Sequence, residues 1–150
     1  MARKYEVTRF RRAVNSFTSA MARRGNGPAS ELTVLGRKSG EPRTVPVTPI
    51  DVDGSHYLVS PYGAVGWVHN LRAAGHGSLA RGGTSKRITV EECAGEEAGI
   101  VLKPYYEDLE RIVGPYFDLP EDPTVEDFTT IAENHPVFRY EETELPALKR

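Results

Sequence analysis

Residues 32–71 read LTVLGRKSGEPRTVPVTPIDVDGSHYLVSPYGAVGWVHNL. Short runs rich in apolar and β-branched residues alternate in this stretch with glycine- and proline-containing turns, which is typical of consecutive antiparallel strands. Asp53-Gly54 is a strong hairpin signal. Proline cannot donate a ladder hydrogen bond, so Pro46 and Pro49 predict that the second strand is an edge or bulged strand. The predicted strands cover residues 32–35, 44–50 and 56–60.

A loop of small residues follows the third predicted strand and leads into a helix. The loop spans residues 61–66, and the pattern predicts a short helix over residues 67–74 that Gly75 ends. Backbone amides at a helix start bind anions or carbonyl groups. We therefore expect a ligand at this loop and at the basic turn of residues 36–43.

The rest of the chain adds strands and helices around this stretch. Gly82-Gly83 divides residues 79–91 into two predicted strands, and a last strand covers residues 137–140. Antiparallel hairpins with helices around them indicate a small β-barrel or an α+β domain. We expect a basic amphipathic N-terminal helix within residues 1–28 and a barrel domain over residues 29–150. Helices are predicted over residues 6–24, over 94–113 with a kink at Pro104, and over 123–132.

Length and composition describe an ordinary globular chain. Its 150 residues fit one domain, and 39% of them are hydrophobic, which is enough for a sizeable core. No apolar run approaches the roughly 18–20 residues of a membrane span, and we expect no secretory signal. Cys93 is the single cysteine, so no internal disulfide is possible, which suits the reducing cytoplasm.

Charge is distributed unevenly along the chain. Residues 1–24 have a balance of +6, residues 25–90 of +3 and residues 91–150 of −11. An anionic ligand would therefore be drawn to the half that holds the basic turn. Nucleic acid is not an expected partner, because the basic stretch has no interleaved stacking aromatics and no recognisable binding motif. The basic helix of residues 6–24 suits either packing on the domain with a solvated face or contact with a membrane surface or an anionic ligand.

Two clusters carry the candidate chemistry. Arg37, Lys38 and Arg43 surround one turn and suit phosphate or clustered carboxylates, although a solvated hairpin tip explains them equally well. Tyr62 and Trp67 flank a glycine-containing loop and suit a planar heterocycle, although a core anchor is the simpler explanation of Trp67. The histidines show no metal-ligand spacing and no nucleophile motif occurs. We therefore expect no metal site, and any redox chemistry would come from a bound cofactor.

Two motifs, LGRKSGEPR at residues 35–43 and GWVHNLRA at residues 66–73, resemble those of the deazaflavin-dependent nitroreductase family of actinobacteria. The resemblance covers residues 30–92. Members of this family are oxidoreductases with an FMN-binding-like split β-barrel. They bind coenzyme F420, an 8-hydroxy-5-deazaflavin with a phosphate and an oligoglutamate tail. The resemblance implies an α+β fold in which an antiparallel barrel carries an N-terminal amphipathic helix and peripheral helices.

The resemblance also implies roles for individual residues. The turn that holds the phosphate and the acidic tail would be Arg37, Lys38 and Ser39. The edge segment beside the ring and its ribityl chain would be Arg43, Thr44, Val45, Pro46, Val47 and Thr48. The loop facing the ring would be Ser60, Pro61, Tyr62 and Gly63, and the helix start closing the pocket would be Gly66, Trp67, Val68, His69 and Asn70. The tyrosine over the substrate would be Tyr116, with Tyr105, Tyr106 and Phe128 as its rivals.

The implied activity is hydride transfer from the reduced deazaflavin to an electrophilic small molecule, such as a quinone, an enone or a nitro compound. Tyr116 or Ser60 would hydrogen-bond the developing anion. Two alternatives stay open: an FMN-dependent oxidoreductase on a similar barrel, and a non-catalytic cofactor or apolar-ligand binding protein held at a membrane by its basic helix. An apolar stripe runs along the predicted helix of residues 6–24 and consists of Val7, Phe10, Val14, Phe17 and Met21. Because split barrels often pair, this stripe would serve a homodimer as well as a membrane.

Overall fold

The computed structural model describes residues 29–148, so the predicted helix over residues 6–24 lies outside the described residues. The described chain forms one antiparallel sheet and three α-helices. The strands are β1 (Ser30–Leu35), β2 (Pro42–Val47), β3 (Ile50–Val52), β4 (Ser55–Val59), β5 (His76–Arg81), β6 (Thr84–Cys93) and β7 (Val137–Glu142). The helices are α1 (Gly66–Ala74), α2 (Gly95–Val113) and α3 (Val125–Ile131), with 3₁₀ turns at Gly114–Tyr116 and Ala132–Asn134.

The sheet curls into a half-barrel. Its strand order is β2-β1-β5-β6-β7-β4-β3, so β2 and β3 lie on opposite edges. A flat sheet of seven strands would separate its edges by roughly 29 Å. Only Thr48 and Pro49 connect β2 to β3, and three Cα steps span at most about 11 Å. The connection is possible only because the sheet bends round until its two edges approach each other.

The strand predictions are mostly confirmed, with one correction. Gly82 and Gly83 do join two paired strands, β5 and β6, and β2 is an edge strand. The run predicted as one strand over residues 44–50 is divided between β2 and β3. Pro46 and Pro49, three positions apart, cannot donate ladder bonds, and Pro49 stands where the chain leaves one sheet edge for the other.

Gly77 lies within β5, where this strand passes close to β1. A Cβ built at this position would lie 2.8 Å from the Thr33 carbonyl oxygen. Glycine is therefore required here by the close approach of β1 and β5. Gly75, by contrast, ends α1 in the left-handed region with a φ of 77°, as expected for a helix C-terminus.

The two faces of the sheet bury different cores. Successive side chains of a strand point to opposite faces, and β4 shows this clearly: Leu58 packs inside the half-barrel, whereas Tyr57 and Val59 pack outside it. The inner core also holds Val68 and Leu71 of α1. The outer core is covered by α2 and α3 and contains Val101, Leu102, Tyr105, Phe117 and Phe128.

Candidate active site

The basic turn of residues 36–43 is closed by its own backbone. The Gly36 amide donates to the Glu41 carbonyl and the Gly40 amide to the Gly36 carbonyl, both at 2.8 Å. Gly40 has a φ of 71°, a conformation that favours glycine. Ser39 is used inside the turn, because its hydroxyl oxygen accepts from the Glu41 amide at 3.1 Å. The turn leaves its three cationic side chains, Arg37, Lys38 and Arg43, exposed to solvent.

Asn70 of α1 attaches this turn to the helix. Its side chain is only 8% exposed. Its Oδ1 atom accepts two hydrogen bonds from Arg37, one from the backbone amide at 3.1 Å and one from the guanidinium at 2.8 Å. The two sequence motifs, 33 residues apart, therefore meet in space. Asn70 stands four residues into α1, so the turn is attached about 6 Å along the axis from the helix start.

The start of α1 presents backbone amides without a protein cap. Val65 is the N-cap residue, no side chain caps the helix, and its first turn contains no acidic residue. A Cβ built on Gly66 would meet nothing within 4 Å, so the space beside this amide is open. A helix N-terminus of this kind attracts an anion or a carbonyl oxygen.

The side chains at the start of α1 divide between core and surface. Val68 is fully buried in the inner core, and His69 is exposed. The Trp67 ring is half-buried, with its centroid 6.1 Å from that of Phe138. Trp67 is therefore partly a core anchor, as the simpler explanation held, and keeps part of its surface for another contact.

The edge strand β2 changes from exposed to buried along its length. The Thr44 hydroxyl lies 2.9 Å from that of Thr33 on β1. Val47 is buried in the inner core, which leaves only its backbone to a ligand. Of the other residues in this segment, Arg43 and Thr44 are exposed, whereas Val45, Pro46 and Thr48 are half-buried.

The loop of residues 60–63 is held from below by buried hydrogen bonds. Ser60 has no exposed surface, and its amide donates to the Pro136 carbonyl at 2.8 Å. The Ser60 hydroxyl donates to the Gly63 carbonyl at 2.5 Å. Gly63 has a φ of 91°, which an L side chain rarely adopts. Ser60 thus shapes the loop from inside, and Tyr62 stands beside it with a half-buried ring.

Tyr116 contacts this loop through Tyr62. Its ring meets the ring of Tyr62 edge-on, with the centroids 4.8 Å apart. The structure therefore brings together two tyrosines that the sequence analysis placed in separate parts of the site. Of the three rivals, Tyr105 and Phe128 are buried in the outer core, and Tyr106 packs on Phe117 and Phe128.

His135 is a residue of this region that the sequence analysis missed. It is buried, and its Nδ1 atom lies 2.8 Å from the carbonyl oxygen of Pro61. Its ring stacks on Phe117, with centroids 3.9 Å apart and an interplanar angle of 2°. No local signal in the sequence reveals that His135 contacts a loop 74 positions earlier.

Other reactive groups of the described chain point to no second chemistry. Within residues 29–148, no cluster of His, Cys, Asp or Glu could hold a metal ion. Burial and the nearby Glu97 carboxylate raise the pKa of Cys93 to about 11, so its thiol is protonated at neutral pH. Among the described residues, no helix is long and apolar enough to cross a membrane.

Comparison with solved structures defines the class of fold. The chain is similar to an F420-H2 dependent reductase, FDR-A, with a TM-score of 0.53 and 24% identity over 76% of this chain and 94% of that one. It is also similar to a candidate pyridoxamine 5′-phosphate oxidase from Listeria innocua, with a TM-score of 0.53 and 10% identity over 79% and 86%. A third structure, described as a domain-swapped dimer, gives 0.52 and 22% over 88% and 93%. The fold is thus a split β-barrel, as predicted.

The particular family follows from the sequence. The family model described as F420H(2)-dependent quinone reductase matches residues 4–107, more than half of the chain, so the chain belongs to this family. It is therefore an oxidoreductase whose cofactor is coenzyme F420, which confirms the resemblance read from its two motifs. No curated protein matches the chain at a significant level.

Proposed function

We propose that this protein binds coenzyme F420 between the basic turn and the loop of residues 60–63 and reduces a quinone or a similar electrophile. The observation that carries the proposal is the pair of hydrogen bonds from Arg37 to Asn70, which attach the cationic turn to the uncapped start of α1. A cofactor with a planar ring and a polyanionic tail needs this combination of cations, open amides and a partly apolar loop. The residues present fit the cofactor.

The proposed contacts follow the chemistry of each part of the cofactor. Arg37, Lys38 and Arg43 hold the phosphate and acidic tail, and Ser39 acts through the shape of the turn. The edge segment from Arg43 to Thr48 lies beside the ring. The loop from Ser60 to Gly63 faces the ring, and the first turn of α1, with Gly66 and Trp67, closes the pocket.

When bound, the reduced cofactor supplies the hydride that the substrate accepts. For the anion that develops on the substrate we favour Tyr116 over Ser60 as the hydrogen-bond donor. The Ser60 hydroxyl is buried and already donates to Gly63, whereas the half-buried Tyr116 ring stands on Tyr62 at the surface of the loop. Removing one such donor typically costs about 100-fold or more in kcat.

A fluorescence titration with coenzyme F420, run in parallel with FMN, tests the cofactor site. The double variant Arg37→Ala/Lys38→Ala should lose about tenfold or more in affinity for coenzyme F420, at least about 1.4 kcal/mol, while remaining folded. Arg81→Ala/Lys86→Ala is the matched control, because it removes two cations from the hairpin between β5 and β6. Equal affinity of the two double variants would contradict the assignment of the turn. Binding of FMN alone would favour the alternative cofactor.

Turnover with a simple quinone such as menadione tests the role of Tyr116. Tyr116→Phe should lower kcat and leave the affinity for coenzyme F420 unchanged, because the ring contact with Tyr62 is kept. Tyr106→Phe is the control, since that ring packs on Phe117 and Phe128 in the outer core. An unchanged kcat in Tyr116→Phe would exclude this tyrosine as the donor.

We further infer that the protein is a cytoplasmic enzyme and that its residues 6–24 contact the surface of the membrane. Quinones are dissolved in membranes, so this contact would bring the enzyme to its substrate. This inference is supported by the apolar stripe of the segment and by the net charge of +6 over residues 1–24. Sedimentation with anionic vesicles should carry down the full chain and not a chain without residues 1–24. Equal partitioning would contradict the anchor. A homodimer would use the same stripe, and light scattering of the full and shortened chains tests that arrangement.

A further inference from the structure

The segment Asn134-His135-Pro136 supports the loop of residues 60–63 from beneath. The Ser60 amide donates to the Pro136 carbonyl at 2.8 Å, and the Pro61 carbonyl lies 2.8 Å from Nδ1 of His135. A Cβ built on Gly63 would lie 3.7 Å from the carbonyl oxygen of Asn134. Each side of the loop therefore rests on this segment.

The chemistry of the contact fixes the state of the imidazole. The Pro61 carbonyl can only accept a hydrogen bond, so the Nδ1 atom of His135 must carry a proton and donate it. His135 is 4% exposed, and burial lowers its pKa to about 4. The ring is therefore neutral at physiological pH, with its single proton on Nδ1 and a lone pair on Nε2.

The same ring also holds the segment that carries Tyr116. Phe117 lies parallel to the imidazole at 3.9 Å, and the residue before it, Tyr116, meets Tyr62 at 4.8 Å. Tyr62 in turn follows Pro61, whose carbonyl binds the edge of the imidazole. The imidazole of His135 thus contacts a sequence neighbour of each tyrosine. Its edge binds Pro61, which precedes Tyr62, and its face stacks on Phe117, which follows Tyr116.

We infer that His135 is a positioning residue, which sets the distance between Tyr62 and Tyr116 through its Nδ1–H bond to Pro61 and its stacking on Phe117. The inference rests on the proposed function, because it treats these two tyrosines as pocket residues. His135 itself touches neither substrate nor cofactor and acts through the two segments that it joins. It adds a residue from the connection between α3 and β7 to a site otherwise built from the barrel, α1 and the 3₁₀ turn that carries Tyr116.

Histidine-selective ¹⁵N NMR of the cofactor-free protein tests the contact without any activity. We expect His135 to show the neutral tautomer with the proton on Nδ1, which is the less common form of free histidine. A proton on Nε2 instead would overturn the inference, since Pro61 would then have no donor. This measurement uses the unaltered chain and stays informative if coenzyme F420 does not bind.

Two variants separate the donor from the ring. His135→Phe keeps a stacking ring and removes the donor, whereas His135→Asn keeps an N–H near the Nδ1 position and removes the ring. We expect His135→Phe to lower kcat with menadione about tenfold and to change the affinity for coenzyme F420 less than threefold, because the basic turn is intact. His135→Asn should recover part of kcat. His56→Phe, at a histidine stacked on Tyr140, is the matched control.

A double-variant cycle distinguishes positioning from general support. If His135 acts through Tyr116, then His135→Phe should cost little in a Tyr116→Phe background. Full additivity of the two losses in kcat, or an unchanged kcat in folded His135→Phe, would overturn the inference.

Discussion

The basic turn of residues 36–43 and the loop of residues 60–63, the two parts of the proposed cofactor site, are held in place in opposite ways. The turn is exposed, closes on its own backbone, and is attached to α1 by the side chain of Asn70. The loop begins at the fully buried Ser60 and rests on groups from residues 134–136, more than 70 positions later in the chain. One region is built for solvent and the other for burial.

This difference fits the two ends of the proposed cofactor. Cations that meet a charged tail can remain in water until the ligand arrives, since exposing them costs the protein nothing. A segment that faces a reacting ring must be fixed in advance and must exclude water. We therefore expect changes beneath the loop to reduce stability, and changes in the turn to reduce affinity with little effect on stability.

The largest expected effect on stability is the pH dependence that His135 confers. Burial lowers its pKa to about 4, against 6.5 for an ordinary histidine. Between these values the unfolded chain binds a proton that the folded chain does not. The stabilising contribution is therefore complete above pH 6.5 and is lost as the pH falls towards 4, by roughly 2 to 3 kcal/mol.

Urea denaturation near neutral pH and again near pH 4.5 measures this loss. The free energy of unfolding of the wild type should fall more steeply with acid than that of His135→Phe, which has no proton to bind at this position. If the unfolding free energies of the two proteins changed with pH in parallel, His135 would not be a buried neutral base. The claim that buried groups hold the loop in place would then be contradicted.

The next effect concerns the packing of α2 against α3, the helix that precedes residues 134–136. Gly99 of α2 lies against α3, and a Cβ at this position would be 2.9 Å from the Thr129 amide nitrogen and 3.0 Å from the Val125 carbonyl oxygen. Gly99→Ala should therefore force the helices apart and cost about 2 kcal/mol in thermal or urea unfolding.

Gly66→Ala is the matched control on the cofactor side. The added methyl group meets no protein atom within 4 Å, and the backbone at the start of α1 is ordinary helix. Stability should remain within about 0.5 kcal/mol of the wild type or rise slightly. Affinity for coenzyme F420 should fall if the ligand approaches this amide closely. Similar destabilisation by both alanines would break the distinction between the two regions.

The two regions also differ in how far the sequence predicted them. The motif LGRKSGEPR contains the turn glycines and the cations within nine residues, so local chemistry was enough to identify the turn. Asp53-Gly54 and Gly82-Gly83 revealed their hairpins for the same reason. The roles of Gly77 and His135 depend on segments 40 or more residues away, and no local pattern encodes such packing.

The division of residues 44–50 between opposite sheet edges was missed for a related reason. Alternation along a strand reports which face is buried but not which neighbour the strand pairs with. Only the curl of the whole sheet places β2 beside β1 and β3 beside β4. The two family motifs did point to both the basic turn and Asn70, although they could not show the hydrogen bonds that join them.

Asn70 offers a smaller effect that sharpens the comparison. Asn70→Ala removes the acceptor of both Arg37 hydrogen bonds and should cost about 1 kcal/mol in unfolding free energy, because the released donors of an exposed turn can bind water. Affinity for coenzyme F420 should also fall, since the turn loses its attachment to α1. Asn70→Asp keeps an acceptor at this position and should preserve stability, but its negative charge should still lower the affinity for an anionic ligand. If Asn70→Ala kept full affinity, the attachment would be irrelevant to binding.

The smallest effect on stability, and the clearest separation of the two regions, is expected for Lys38→Ala. Lys38 is exposed at the tip of the turn, so unfolding free energy should change by less than about 0.5 kcal/mol. Affinity for coenzyme F420 should nevertheless fall at low salt, and the variant should lose less affinity than the wild type as salt is raised, because it has one charge fewer to screen. Lys86→Ala, which removes an exposed cation paired with Glu142, should keep the salt dependence of the wild type. Identical salt dependence in Lys38→Ala and the wild type would show that the tail does not reach the turn, and the cations would then be a solvated hairpin tip.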